Sequence, residues 1–204
     1  MGDPLVPSNV PIPHHLHRWI WFITGPTACG KTTIAKSLAS RLGFTFVEGD
    51  DYHPAASVEK MASGHPLTDQ DREGWLKALK EHETCQPGEG ESRHLVMTCS
   101  ALKKHYRDVL RQGGKEAGDL RIRFVLLDAP EEVLMERARN RKGHFAKENL
   151  VKSQVAILER PVAGVEDDVL VVDVNRNVED VERETEIRVR EVMGQDDNAF
   201  LPLQ

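Results

Sequence analysis

Gly25-Pro26-Thr27-Ala28-Cys29-Gly30-Lys31-Thr32 is a complete G-x-x-x-x-G-K-[ST] phosphate loop. Glycines let the backbone bend until successive N–H groups point at phosphate oxygens. A helix beginning at the loop adds partial positive charge where the anion sits. Lys31 can reach the outer phosphates of a nucleotide, the Thr32 hydroxyl can ligate Mg2+, and Thr33 follows in the first helical turn. Cys29 reads as a spacer within the loop. The chemistry in view is binding of ATP–Mg2+ and transfer of its terminal phosphoryl group.

Such transfer also needs carboxylates, an acceptor site and charge neutralisation. Glu48 and Asp50 stand two apart at the end of an apolar run, where strand alternation projects both to one side. One can hold the metal, directly or through water, opposite Thr32; the other can take the proton of an attacking hydroxyl. Taken alone, Asp50-Asp51 fits a turn or a helix cap equally well. No separate apolar strand ends in a lone Asp of the Walker B kind before the fourth strand, which directs the metal role to Glu48 or Asp50. Acceptor candidates are His53, Lys60, Arg72, Ser100, Lys103 and Arg107. A basic set facing a carboxylate suits an acceptor that is itself an anion. Arg137-Ala138-Arg139-Asn140-Arg141-Lys142-Gly143-His144-Phe145 is a basic run in an acidic chain. It reads as a lid, about residues 137–148, that closes over phosphates, or as a helix end where cations meet the dipole.

Strands and helices must alternate to position these groups. Trp19–Thr24 is an apolar run before the loop; Ile34, Ala35, Leu38, Ala39 and Leu42 give helical spacing after it. Further strands are expected at 44–47, 94–99, 122–127 and 169–174. Helices are expected from His53 to Met61, beyond Thr68 as a cap, from Ser100 onward, after Pro130, around Leu150–Leu158, and from Asn177 to Met193. Gln112–Gly118 reads as a glycine-rich loop. The pattern implies a mostly parallel sheet covered on both faces. Residues 1–17, with Pro4, Pro7, Pro11, Pro13 and three histidines, are expected to be a flexible leader, 18–193 a single kinase domain, and 194–204 a frayed tail.

The bulk numbers agree. The 204 residues are 39% hydrophobic and 29% charged, with a net charge of −6, the profile of a globular domain. An acidic chain is a poor match for sequence-independent nucleic-acid binding. No stretch approaches the ~20 apolar residues a bilayer span needs, so no membrane partner is expected. The three cysteines, Cys29, Cys85 and Cys99, lack metal or disulfide spacing, which suits a reducing, cytoplasmic setting.

Four segments carry a family resemblance: Gly49–Pro54, Glu59–Leu76, Cys99–Asp108 and Arg141–Phe145. In that order they resemble gluconokinase, the family that phosphorylates D-gluconate on its 6-hydroxyl with ATP. The product, 6-phospho-D-gluconate, belongs to the pentose phosphate pathway. The likeness runs from about Trp19 to Val174. It implies an α/β, nucleoside-monophosphate-kinase-like three-layer fold related to shikimate kinase, with a five-stranded parallel sheet and a mobile lid. It also implies a cytoplasmic enzyme, and the family's frequent dimers leave a homodimer open. By position, Asp50 resembles the carboxylate that meets the substrate hydroxyl. Lys103 and Arg107 match a basic pair near the sugar acid, and His144 falls in the lid segment grouped with substrate residues. Arg141 matches the lid arginine, and Arg137 falls where related kinases place an arginine against adenine. Another small-molecule kinase of the shikimate or nucleoside type is the rival reading; a nucleotide-dependent switch is the other. The chain departs from the family in Pro26–Cys29, where Val-Ser-Gly-Ser is common, and at Glu48, where Asp is common.

Overall fold

Every side chain of strand β1, Arg18–Thr24, is buried. Such a strand has to lie between two covered faces, and β1 is the centre of the sheet. A computed structural model describes residues 17–84, 92–140 and 144–199. The sheet holds β2 (Thr45–Val47), β3 (Leu95–Thr98), β1, β4 (Leu120–Asp128) and β5 (Val169–Asp173) in the order β2-β3-β1-β4-β5. All pairings are parallel, so each connection crosses over through helix.

Alternation along β1 splits the core. Trp19, Trp21 and Ile23 face α1 (Lys31–Leu42) and α7 (Val178–Ala199), against Leu38, Val181 and Val189. Ile20 and Phe22 face α3 (Asp69–Thr84) and α4 (Lys104–Ala117), against Trp75, Leu79 and Leu110. Each such fully buried aliphatic or aromatic side chain contributes about 1.5–3 kcal/mol. Helix α6 (His144–Ala156) packs against α5 (Glu131–Arg139) and α2 (Ala55–Ala62). Ligands bind at the C-terminal ends of the strands in open α/β sheets. The expected caps hold: the Asp71 N–H donates to Thr68 Oγ1 at 3.2 Å, and the Glu179 N–H to Asn177 Oδ1 at 2.8 Å.

Four local expectations change. The expected Gln112–Gly118 loop is instead helical, since α4 continues to Ala117. A Cβ at Gly114 would lie 3.2 Å from the Leu120 carbonyl and 3.3 Å from Ile122. That glycine serves the close approach of α4 to β4, not a turn. Ser100–Lys103 is not helical; Ala101 has φ 35° and α4 starts at Lys104. Gly49–Tyr52 forms a 3-10 turn before α2. The chain remains helical six residues past Met193, to Ala199, where Asp196 pairs with Arg123 of β4 at 2.7 Å. Apart from His17, the leader lies outside the described residues, as do Cys85, Arg141 and residues 200–204.

Candidate active site

The phosphate loop leaves β1 at Gly25, whose φ is 133° and whose Cβ would lie 2.7 Å from the Leu127 carbonyl. Only glycine meets both demands. Gly30, at φ 101°, precedes α1 with no side-chain cap, so the first helical amides stay open to an anion. Ala28 also adopts a left-handed φ, 69°. The Cβ there costs about 1–2 kcal/mol of local strain. Lys31 Nζ donates to the Gly25 and Pro26 carbonyls, each at 3.2 Å. Cys29 is buried, and burial pushes its thiol pKa up. It is therefore a neutral wall of the loop, as a spacer residue should be.

Three cavities run together along this loop. The largest, about 410 Å³, lies between Ala28–Ile34 on one side and Arg137, Asn140, Val174 and Val181 on the other. Its mixed apolar and cationic wall suits a nucleoside. Arg137 is fixed there by donation to the Val174 carbonyl at 2.6 Å. The next, about 180 Å³, is the phosphate cradle, lined by Thr27, Ala28, Gly30, Lys31, Thr32, Thr33 and Asp50. The third, about 60 Å³, shares Thr27, Lys31 and Asp50 with the cradle. It continues past His53, Leu67, Arg72 and Ser100 to Leu150, Ser153 and Gln154 of α6.

Glu48 and Asp50 separate in role. The Thr32 hydroxyl donates to Glu48 Oε2 at 2.8 Å, and the Thr98 hydroxyl to Glu48 Oε1. This pairs a hydroxyl and a carboxylate, hard oxygen donors suited to Mg2+. Among the described residues no group of three His, Cys, Asp or Glu could hold a metal by itself. A cation seated here would share its coordination with phosphate oxygens, the usual way for Mg2+. Asp50 lies on the 3-10 turn with its side chain 63% exposed, at the junction of cradle and third cavity.

His53 Nε2 is 3.8 Å from Asp50 Oδ1, and the ring stacks on Trp75 at 4.2 Å. Trp75 in turn donates to the Gly49 carbonyl at 2.7 Å, so the turn carrying Asp50 is tied to the core. Burial lowers the His53 pKa, with Arg72 adding to the effect and Asp50 opposing it. Arg72 is buried and donates through Nη1 to the Leu67 carbonyl at 2.6 Å. Its Nε and Nη2 have no hydrogen-bond partner among the described residues. This leaves a guanidinium edge for an anion in the third cavity.

Lys60, Lys103 and Arg107 are not brought there. Lys60 pairs with Asp71 at 2.6 Å and Lys103 with Asp69 at 2.8 Å. Arg107, expected against the sugar acid, is 1% exposed. It is held by both oxygens of Glu166, at 2.8 and 2.7 Å, and by the Ala101, Leu102 and Glu159 carbonyls. The family resemblance pairs Lys103 and Arg107, but Lys103 precedes α4 and Arg107 turns into the interior. Accordingly, Lys103→Ala is expected to change the acceptor KM by less than about threefold, since its ammonium already has a carboxylate partner. A tenfold rise in steady-state assays would place Lys103 on the substrate. Arg141 and the His144 side chain lie outside the described residues.

Gln154 is the residue that motif reasoning missed. Its Oε1 accepts the Thr27 N–H at 2.6 Å. A lone glutamine inside a helix carries no signal that could have marked it.

A protein-family profile described as an AAA domain matches residues 20–161. The chain is 39% identical to the thermoresistant gluconokinase of Escherichia coli, over 82% of this chain and 91% of that one. It is 45% identical to the gluconokinase of Gluconobacter oxydans, over 68% and 74%. A crystal structure of a gluconokinase from Sinorhizobium meliloti superposes with a TM-score of 0.77 at 33% identity, covering 92% of this chain and 99% of that one. With a phosphate loop on the central strand, a carboxylate at its mouth and likeness over most of each chain, this protein belongs to the gluconokinase family.

Proposed function

We propose that the chain transfers the γ-phosphoryl group of ATP to the 6-hydroxyl of D-gluconate, giving 6-phospho-D-gluconate and ADP. One observation carries the reading. Lys31 and Asp50 line both the phosphate cradle and a second small cavity whose wall includes the free edge of Arg72. A cation to hold an acid at one place and a carboxylate to meet a hydroxyl at another describe an acceptor bearing both groups. The gluconokinase relatives support that choice.

The nucleoside occupies the cavity beside Arg137, and its phosphates take the amides of Gly25–Thr33. Asp50 accepts the proton of the 6-hydroxyl as O6 bonds to the γ-phosphorus, and the β–γ bridging oxygen leaves with ADP. Lys31 and the lid residue Arg141 neutralise charge on the group in flight. Arg72 holds the acceptor carboxylate, with Ser100 and His53 along the wall. Thr32 and Glu48 would hold Mg2+, which would supply Lewis-acid neutralisation of the phosphates. Closing of the lid, 137–148, excludes water as a competing acceptor. Three cysteines without metal or disulfide spacing fit action in the cytoplasm.

ADP production with ATP–Mg2+ against D-gluconate, shikimate, 2-keto-gluconate, glucose, nucleoside monophosphates and no acceptor tests this. Gluconate is expected to stimulate turnover well above every other compound. A rate indifferent to gluconate would reject the assignment.

A further inference from the structure

We infer that Gln154 is a positioning residue that couples acceptor binding to the phosphate loop. The inference rests on the proposed function, and concerns how the two substrates sense one another.

The geometry singles out this amide. Thr27 donates its backbone N–H to Gln154 Oε1 at 2.6 Å, across 127 residues of sequence. Thr27 lines both the phosphate cradle and the third cavity. Gln154 lines the third cavity together with Leu150 and Ser153 of α6. Its Nε2 has no partner among the described residues. Asp50 comes from the 3-10 turn, His53 from the residue just after it and Arg72 from α3. Gln154 is thus the described side chain that lines the acceptor cavity while gripping the phosphate loop from α6, the helix that follows the basic lid segment.

A primary amide can accept at oxygen and donate at nitrogen at the same time. With Oε1 on Thr27, Nε2 remains to donate to a hydroxyl of a polyhydroxy acid. Each hydrogen bond fixes the same χ angles, so a bound acceptor lowers the entropy of holding Thr27, and an ordered Thr27 lowers that of binding the acceptor. Positive coupling follows, and it is reciprocal. A hydrophobic side chain of similar length would fill the space and lose both bonds. Glutamate keeps an oxygen for the Thr27 N–H and loses the donor.

The test is the affinity for a non-hydrolysable ATP analogue with Mg2+, by titration calorimetry, with and without saturating D-gluconate. In the wild-type chain gluconate is expected to tighten analogue binding by roughly 5–10-fold, the coupling that one hydrogen bond in a network can carry. In Gln154→Leu and in Gln154→Glu the two affinities are expected to agree within twofold. Gln154→Glu is further expected to melt within a few degrees of the wild type, which a general loss of structure would not allow; it also serves if Gln154→Leu fails to fold. Wild-type coupling retained in either folded variant overturns the inference. So does a wild-type chain that turns over gluconate yet binds the analogue equally with and without it, the proposed function surviving. Absence of gluconate-stimulated ADP production in the wild type overturns both.

Discussion

Asp50→Asn is expected to lower kcat for gluconate phosphorylation by at least ~100-fold, about 2.7 kcal/mol of transition-state stabilisation. The carboxamide keeps the shape and one acceptor oxygen but cannot take a proton from the 6-hydroxyl. Asp50 reaches both the phosphate cradle and the acceptor cavity from a turn held by Trp75 and by the Thr98 hydroxyl, which accepts the Gly49 N–H at 3.0 Å. The turn should therefore keep its position. The Kd for ATP–Mg2+ should move by less than about threefold, because Lys31, the loop amides and the Thr32–Glu48 pair remain. A kcat within tenfold of wild type would remove Asp50 from the role of base. A parallel loss of ATP affinity would instead assign it to the metal.

Arg107→Ala is expected to destabilise the folded chain by about 3–5 kcal/mol, the cost of breaking a buried ion pair by removing one member. Glu166 is 3% exposed on its side chain, and both its oxygens meet Arg107. Arg111 also reaches Glu166, at 2.8 Å, which places the loss toward the lower end of that range. The deletion leaves the Ala101 and Glu159 carbonyls without this donor, while the Leu102 carbonyl keeps the Glu159 N–H at 2.8 Å. Arg107→Lys is expected to fall between, since an ammonium cannot reproduce the bidentate fork. Urea unfolding at pH 7 reads these differences; a loss below 1 kcal/mol for Arg107→Ala would show that the pair contributes little. The pair also has a pH signature. Hydrogen bonding from Arg107 holds the Glu166 carboxyl below its ordinary value of 4.5. An acid whose folded pKa is depressed contributes stability in full above the unfolded value, and loses it as pH falls through the folded one. Stability of the wild type should thus decline below about pH 4.5, and this part of the decline should be smaller in Arg107→Ala, where Arg111 alone still holds the carboxyl down.

Ala101 belongs to the same region. It holds φ 35° and its carbonyl accepts from Arg107 at 3.0 Å. Ser100, next to it, lines the acceptor cavity and accepts the Gly25 N–H at its carbonyl, at 3.2 Å. Arg107 therefore bears on the site through the shape of this loop.

Short-range chemistry was legible from the residues alone. The phosphate loop, the strand before it and the helix after it are local, so eight consecutive residues state the nucleotide site. Apolar runs placed the five strands, and the central β1 and β3, buried throughout, are the most continuously apolar of them. Asp50 was legible because it follows closely on a strand that ends beside the loop. What only the tertiary structure decided is which cations stay free. Arg72, Lys103 and Arg107 are alike in sequence terms. Their partners Leu67, Asp69 and Glu166 come from different turns of the chain, and a cation's availability depends on the carboxylate or carbonyl that packs against it. The helix through Gly114 was hidden for the same reason, since the close neighbour that makes glycine fit is β4. Gln154 was hidden as well, because its partner lies 127 residues away, and no spacing along a chain records a contact that folding alone creates.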